Sequence, residues 1–535
     1  MESVHKDKIY TSPVRKLARF FEQSRDGWKD KYRAAKVALK RVTNRACFLA
    51  KRKEHYKQRV KELERALAHA QARERRLEQE VEGLRNQVNE AATAAAAWRE
   101  VTRTPARQQY GIGLMTLFIL LVVTAAISLR GASRAIEVFR ACLPVPLDGP
   151  AWPTGRLWLL RLGYYKLTRP KVHAEDWIWI VDHTIQLDAI KCFVVLGIRR
   201  SALPPAGQCL THAQVEPLAL LPVPHSTGAV VYQQLEDLVA QTGVPRAIVR
   251  DHGSDLNAGV AQFCQIHSGT SDIYDIKHKT ALVLKHELEA DPVWQEFTQL
   301  AARTQSQVRQ TNLAPLAPPG LRSKARYMNV DILVKWGQDI LAYLARPPAT
   351  RQPLCDPAQV QAKLGWVTRF EQPLREWAAM FQVIARTESL VRQEGLYRGL
   401  HLKLAEQLHP LAQTERVQRV QAALLAFVAQ EEIKANEGER LLGSREVLES
   451  VLGKLKRLEQ DQAKSGFTGL LLGLCAMVST TTQEIIRTAL ESVPTQQVLA
   501  WCAEHLGPSI QAKRREALNS PQKAEQKWDE LLEPV

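Results

Sequence analysis

The sequence lacks the short motifs that mark several large enzyme classes. It contains no G-x-x-x-x-G-K-[ST] loop, no G-x-S-x-G elbow and no H-E-x-x-H helix, which argues against nucleotide-driven and common hydrolase chemistries. Its eight cysteines are scattered, without a C-x-x-C pair or a cysteine–histidine cluster. This pattern predicts free, mostly buried thiols in a reducing interior. The charged opening MESVHKDKIY has no apolar signal core, which predicts no export.

Acidic residues are scarce relative to basic ones. The chain has 73 Lys and Arg against 56 Asp and Glu, a formal net charge of +17. Residues 1–60 hold 18 basic and 6 acidic residues, so +12 of that excess lies in this segment. A local excess of this size predicts a polyanionic partner, with nucleic acid first and an anionic membrane second.

Apolar residues after the basic segment recur at spacings of three, four or seven, which is typical of a coiled-coil seam. The pattern predicts a homodimer through this N-terminal segment. The seam positions are Val60, Leu63, Leu67, Ala70, Leu77, Val81, Leu84 and Val88.

The segment Ile112–Leu129 is a strongly apolar run of 18 residues without a charge. It meets the minimum length of a membrane span and also fits a buried helix, so both interpretations stay open, with the buried helix preferred. The segment 129–139 follows as a second short amphipathic helix carrying Arg130 and Arg134. Two helices joined by a turn of small residues could form a helix-turn-helix-like pair in which these arginines contact DNA.

The pattern changes to short β-type runs from residue 177. We predict the order β-β-β-α-β-α-β, which is typical of a ribonuclease H-like core. The predicted strands are 177–181, 191–197, 215–222, 246–250 and 271–275, and the predicted helices are 228–240 and about 258–265. Helical sequence then continues to about residue 440, which predicts an all-α insertion.

Two aspartates are expected at neighbouring strand ends. Asp182 follows the first predicted strand and Asp251 follows the fourth. In a ribonuclease H-like sheet these ends lie side by side, so we expect the two carboxylates to converge. Paired carboxylates of this kind hold divalent ions that activate a nucleophile and stabilise the leaving oxygen of a phosphodiester.

A third acid is expected from a helix beside these strands. Glu449 is the first candidate, because Arg445 precedes it by four residues and Lys456 follows it by seven, which predicts one shared helical face. We expect the two cations to bind phosphates. Three competing acids stay open, namely Asp275, Glu287 and Glu446.

The spacing Arg445-(3)-Glu449-(6)-Lys456 resembles the Y-(2)-R-(3)-E-(6)-K signature of DDE insertion-sequence transposases, with Leu442 at the tyrosine position. Asp182 and Asp251 match the first two acids of that family. The resemblance covers about residues 10–480. It implies a ribonuclease H-like catalytic core with a helical insertion, two Mg²⁺ ions held by Asp182, Asp251 and Glu449, and DNA strand cleavage and joining at transposon ends.

The expected organisation has six segments. They are a basic helix and coiled coil (1–105), a helical DNA-binding region (106–170), the first part of the core (171–275), the all-α insertion (276–440), returning core helices (441–485) and a charged helical tail (486–535). Mn²⁺ is expected to substitute for Mg²⁺, and no nucleotide cofactor is expected.

The expected partner is double-stranded DNA, comprising terminal repeats and target, and the expected location is the bacterial cytoplasm at the nucleoid. The alternatives are a catalytically inactive, transposase-derived DNA-binding protein and a membrane-anchored coiled-coil protein.

Overall fold

A computed structural model describes most of the chain in eight stretches and a few isolated positions. The stretches are 13–45, 103–142, 149–185, 191–320, 330–347, 356–411, 413–460 and 468–506. The chain forms two compact units, Met1–Trp98 and Arg99–Val535. In the first unit, helix α1 spans 14–45 and exposes Phe20, Trp28 and Tyr32. All positions of the predicted coiled-coil seam except Leu77 lie outside the described residues.

Three helices open the second unit: α2 (Ile112–Val123), α3 (Leu129–Cys142) and α4 (Trp152–Thr168). Met115, Phe118 and Ile119 of α2 are fully buried, so the first part of the long apolar run forms a buried helix. Residues 124–128 of that run are not helical, and the chain turns at Ala126, whose φ is 54°. Within the described ranges, the helices are too short or too polar to span a membrane.

The centre of the second unit is a five-stranded mixed sheet. Its strands are β1 (Trp177–Ile185), β2 (Lys191–Arg199), β3 (Glu216–Val223), β4 (Ala247–Arg250) and β5 (Ser271–Tyr274), in the spatial order β3-β2-β1-β4-β5. Strands β1 to β3 form an antiparallel meander, while β4 pairs parallel with β1 and β5 pairs parallel with β4. Helix α5 (Gly228–Thr242) precedes β4, and α6 (Ser254–Ile266) precedes β5. The element order is therefore the one predicted from the sequence.

Both faces of the sheet are covered, because successive side chains of a strand point to opposite faces. On β1, Trp179 and Val181 belong to a cluster with the apolar faces of α5 and α6. Ile178 and Ile180 belong to the larger cluster on the opposite face. Asp182 follows the same alternation and therefore lies on the face of Ile178 and Ile180.

The described residues after β5 are mostly helical. Its helices are α7 (Ile276–Leu288), α8 (Pro292–Val308), α9 (Asp331–Leu344), α10 (Pro357–Leu364), α11 (Glu371–Glu394), α12 (Leu400–Leu408), α13 (Glu415–Glu432), α14 (Glu446–Gln460), α15 (Leu472–Ala476), α16 (Gln483–Ser492) and α17 (Thr495–Leu506). Between α7 and α13 the helices pack around fully buried aromatics such as Phe297 and Trp377, whose ring centroids are 5.3 Å apart. The described part of the second unit is thus a mixed sheet with many helices.

The described cysteines form no disulfide, but they are less buried than predicted. Cys192 and Cys475 are buried, whereas Cys142 and Cys209 are exposed.

Candidate metal centre

One buried arginine lies among four carboxylates. In Arg445, Nη1 is 2.7 Å from Asp182 Oδ1, Nη2 is 3.3 Å from Asp251 Oδ2 and 3.5 Å from Glu449 Oε1, and Nε is 3.7 Å from Asp275 Oδ2. Only 5% of the arginine side chain is exposed. We call these four acids together with Arg445, Lys277 and His278 the acidic cluster. It brings together both predicted aspartates and the preferred third acid.

Asp182 reaches the cluster from inside β1, not from its end as expected. It pairs with Val194 of β2, and β1 continues to Ile185. The parallel pairing of β1 with β4 stops earlier, at Ile180 and Val249. Asp182 therefore lies just beyond the last pair with β4, and Asp251 follows the final residue of β4. The carboxylates of Asp182 and Asp251 come together because both residues follow the last paired residues of β1 and β4. Strand β1 itself continues alongside β2.

Asp275 and His278 enter the cluster from the start of α7. Asp275 is the N-cap of that helix and accepts hydrogen bonds from the backbone N–H of His278 at 3.2 Å and of Arg445 at 3.0 Å. His278 Nδ1 lies 2.7 Å from Asp275 Oδ2. A side-chain acceptor at the N-cap satisfies a helix N–H that would otherwise be unpaired. Asp275 is thereby fixed in place while fully buried.

Glu449 lies in the first turn of α14, and Lys277 of α7 donates to its carboxylate at 3.0 Å. Arg445 precedes α14, and its carbonyl accepts from the N–H groups of Leu448 and Glu449. The guanidinium lies on the side of Glu449, 3.5 Å from its carboxylate, and is buried among the acids. Lys456 lies seven residues after Glu449 on α14 and is exposed, which places it on nearly the same side of the helix.

Burial and charge perturb the ionisation of the cluster. Burial raises the pKa of Asp182, and Asp251 acts in the same direction, while Arg445 offsets part of the rise. Burial also acts to raise the pKa of Asp275, but the hydrogen bonds from His278 and from the Arg445 backbone outweigh it, so this pKa is lowered. The surrounding carboxylates raise the pKa of Arg445 despite its burial.

The donor set fits a divalent cation. Carboxylate oxygens are ligands of Mg²⁺ and Mn²⁺, and imidazole adds a ligand for transition metals. Among the described residues, Asp275, His278 and Glu449 offer ligand atoms that all lie within 4.8 Å of one another. In addition, Nε and Nη1 of the buried Arg445 have no partner with hydrogen-bond geometry. The guanidinium is therefore held mainly by charge, in a place that another cation could share.

The other candidate acids lie elsewhere. Glu287 is near the C-terminal end of α7 and forms ion pairs with Arg416 and Arg419. Glu446 pairs with the exposed Arg392 at 3.1 Å. Asp275 is the one competing acid that the fold brings into the cluster.

Arg130 and Arg134, predicted to contact DNA, are exposed on α3. Arg130 lies over the ring of Trp152, with its guanidinium carbon 5.3 Å from the ring centroid.

A second polar group lies behind β1, on the face opposite Asp182. His183 Nε2 lies 3.2 Å from Ser226 Oγ, and His183 Nδ1 lies 3.7 Å from Asp255 Oδ2. Lys191 donates to Asp255 at 2.8 Å. Burial acts to raise the pKa of Asp255, but the bonds from Lys191 and Ser226 lower it to about 2. Asp255 therefore carries its negative charge at neutral pH. It lies at the start of α6, just after the loop that carries Asp251.

Sequence reasoning missed His278 and Lys277 as members of the cluster. The spacing Asp-x-x-His at the junction between β5 and α7 could have indicated the histidine, because positions three apart in the first turn of a helix lie on one side. The contact of Lys277 with Glu449 joins residues 172 positions apart, and no local pattern predicts it.

Comparison with solved structures gives a coarse likeness. No protein-family model matches the chain, and no curated protein matches it. A solved structure, the Drosophila P element transposase strand transfer complex, is similar over 75% of this chain and 98% of that chain, with 11% sequence identity and a TM-score of 0.34.

Proposed function

We propose that the protein is a DNA transposase of the DDE type, with a ribonuclease H-like core that cleaves and joins DNA strands by two-metal phosphoryl transfer. The observation that carries the proposal is the convergence of Asp182, Asp251 and Glu449 on one buried guanidinium. The sheet supports it, because three antiparallel strands followed by two parallel ones place β1 beside β4.

In this proposal Asp182, Asp251 and Glu449 would hold the two ions, Mg²⁺ by preference and Mn²⁺ as a substitute. Bound divalent ions supply Lewis-acid stabilisation of the phosphodiester and lower the pKa of a bound water or 3′-hydroxyl. The protein contributes by holding the metal-binding carboxylates in fixed positions. Asp182 is fixed within a strand, and Lys277 orients Glu449 through a bond of 3.0 Å.

The cations of the site have separate roles. Arg445 balances the carboxylates from inside the cluster, because it is buried among them. Lys456 is exposed on the side of α14 that bears Glu449, and it would contact a DNA phosphate, as would Arg130 and Arg134 on α3. A lysine placed in this way adds affinity without reading sequence.

The N-terminal unit would supply electrostatic attraction to DNA. Helix α1 carries 11 Lys and Arg against 3 Asp and Glu, a net charge of +8. Aromatic side chains lie between these charges, with Phe20, Trp28 and Tyr32 exposed. The proposal includes a homodimer through the N-terminal segment and a bacterial cytoplasmic location at the nucleoid.

The test is nicking and strand joining of supercoiled plasmid DNA that carries the flanking sequence of the gene. Purified full-length protein is compared with Asp182→Asn and with Asp176→Asn, whose carboxylate pairs with Arg199 at the opposite end of β1. We expect Mg²⁺-dependent nicking by the wild type and by Asp176→Asn, and none by Asp182→Asn. DNA binding without nicking by the wild type would instead favour a catalytically inactive, transposase-derived DNA-binding protein.

A further inference from the structure

One nitrogen of Arg445 occupies the centre of a potential coordination site. Nη2 lies 2.9 Å from His278 Nε2, 3.3 Å from Asp251 Oδ2 and 3.5 Å from Glu449 Oε1. These three atoms come from α7, from the residue after β4 and from α14. The positive nitrogen therefore marks a point where one imidazole and two carboxylates converge on a cation.

The imidazole is oriented as metal-binding histidines usually are. His278 Nδ1 lies 2.7 Å from the fully buried Asp275, and Nε2 faces Arg445. A guanidinium can only donate, so Nε2 accepts and Nδ1 carries the proton that is donated to Asp275. A carboxylate that binds one ring nitrogen fixes the tautomer and directs the lone pair of the other nitrogen towards a metal.

The charge of the acidic cluster leaves room for one divalent ion. Asp182, Asp251, Asp275 and Glu449 contribute four negative charges, and Arg445 and Lys277 contribute two positive ones, which leaves −2. One divalent ion would therefore neutralise the cluster, whereas a second would need the negative charge of a DNA phosphate beside it.

The arginine itself is incompletely satisfied. Its side chain is only 5% exposed, yet Nε and Nη1 lack partners with hydrogen-bond geometry. Nη1 nevertheless lies 2.7 Å from Asp182 Oδ1, so the guanidinium is held by charge, which a divalent ion could replace. Because the guanidinium is planar and rigid, an incoming ion would have to move the whole group away from His278, Asp251 and Glu449.

We propose that a single divalent ion binds in place of Nη2 before DNA is present, with His278 Nε2, Asp251 and Glu449 as its protein ligands. We further propose that His278 makes this position selective for Mn²⁺ over Mg²⁺. Mg²⁺ prefers oxygen ligands, whereas Mn²⁺ accepts both carboxylate oxygen and imidazole nitrogen. The inference deepens the proposed function by naming the first ion of the same site and a ligand outside the three expected acids.

The test measures metal binding and not catalysis. Full-length protein without DNA is titrated with MnCl₂ and with MgCl₂ by calorimetry, and bound Mn²⁺ is examined by electron spin-echo envelope modulation. Calorimetry should show one Mn²⁺ bound per chain. The spin-echo spectrum should show a ¹⁴N coupling that changes to the ¹⁵N pattern when the histidines are labelled with ¹⁵N. His278→Gln should lose the nitrogen coupling and weaken Mn²⁺ binding roughly tenfold or more, with little change for Mg²⁺.

His286→Gln is the matched control, because His286 lies on the same helix α7 and is exposed. It should retain both the coupling and the affinity. Bound Mn²⁺ without nitrogen coupling in the labelled wild type would overturn the inference without recourse to any variant. An equal loss of Mn²⁺ and Mg²⁺ in His278→Gln would also overturn it.

This outcome is independent of the proposed function. A nitrogen-coupled Mn²⁺ in a protein that never nicks DNA would support the metal site and contradict the transposase proposal. Metal-dependent nicking without nitrogen coupling would support the transposase proposal and contradict the His278 metal site.

Discussion

Arg445 Nη1 lies 2.7 Å from Asp182 Oδ1, so the strand β1 and the start of α14 are joined by opposite charges inside the protein. The two residues are 263 positions apart in the sequence, with the whole helical block after β5 between them. This pair connects β1 to the rest of the acidic cluster, because the same guanidinium also contacts Asp251 and Glu449.

Removal of the guanidinium should destabilise the protein in a metal-dependent manner. Arg445→Met leaves four buried or half-buried carboxylates without their central cation. We expect a loss of about 3 kcal/mol in the free energy of unfolding in EDTA, the magnitude typical of breaking a buried ion pair. MnCl₂ should restore part of that loss, because a divalent ion replaces the missing charge.

Arg392→Met is the control for this experiment, since Arg392 forms an exposed pair with Glu446. It should cost no more than about 1 kcal/mol and should not respond to metal. Urea unfolding of both variants with and without MnCl₂ measures the difference. Equal losses in the two variants would contradict the role given to Arg445.

Asp255 should stabilise the fold in a defined pH range. Its pKa is lowered from 3.8 to about 2, so its folded-state charge is favoured relative to the unfolded chain. A lowered pKa gives stability that is complete above pH 4 or so and disappears as the pH falls through about 2. Asp255→Asn should therefore be up to roughly 2 kcal/mol less stable than the wild type at pH 7.

The gap in unfolding free energy between wild type and Asp255→Asn should narrow steadily below pH 4. Urea titrations at several pH values measure it. A gap that is the same at pH 3 and pH 7 would mean that the ionised carboxylate contributes nothing.

Two helical glycines should respond oppositely to substitution by alanine. A Cβ added at Gly163 of α4 would lie 1.9 Å from the carbonyl oxygen of Leu472, while a Cβ at Gly453 of α14 would meet nothing within 4 Å. Gly163→Ala should destabilise the protein by about 1–3 kcal/mol or more, since backbone must shift. Gly453→Ala should stabilise it by about 0.5–1 kcal/mol through helix propensity.

Thermal unfolding of the two glycine variants measures both the expected loss and the expected gain of stability. A tolerated Gly163→Ala would show that α4 and α15 do not approach as closely as described.

The basic helix α1 should account for part of the salt dependence of DNA binding. Lys16, Lys36 and Lys40 are exposed on this helix. Replacing all three with glutamine should reduce the slope of log K against log salt concentration by up to about 0.9 for each phosphate that the variant no longer neutralises. Lys403→Gln is the control, because Lys403 is paired with Glu394 at 2.6 Å. Fluorescence anisotropy at several salt concentrations measures both slopes, and an unchanged slope in the triple variant would exclude α1 from the DNA interface.

Local patterning predicted much of the core. Continuous apolar runs identified β1 and β2, because a strand that is buried on both faces has no polar gaps. The sequence also predicted that Asp182 and Asp251 would meet. The end of β1 was predicted too early, since Asp182, His183 and Thr184 are polar positions in a strand that continues beside β2.

The cluster's cations were less predictable than its acids. Arg445 was expected to share a helical face with Glu449 and to bind phosphate, but its side chain is only 5% exposed and lies among the carboxylates. The backbone leaves the helix at Arg445, whose carbonyl accepts the first helical hydrogen bonds. His278 joins the site only through the packing of α7 beside β5, which no single stretch of sequence encodes.

The central claim is that the acidic cluster performs metal-dependent phosphoryl transfer with Glu449 as its third acid. The most direct measurement compares nicking of the flanking-sequence plasmid in Mg²⁺ by the wild type, Glu449→Gln and Glu446→Gln, where the last changes an acid one helical turn away that pairs with Arg392 outside the cluster. We predict nicking by the wild type and Glu446→Gln, and none by Glu449→Gln. Equal nicking by all three proteins, or no nicking by the wild type in either Mg²⁺ or Mn²⁺, would contradict the claim.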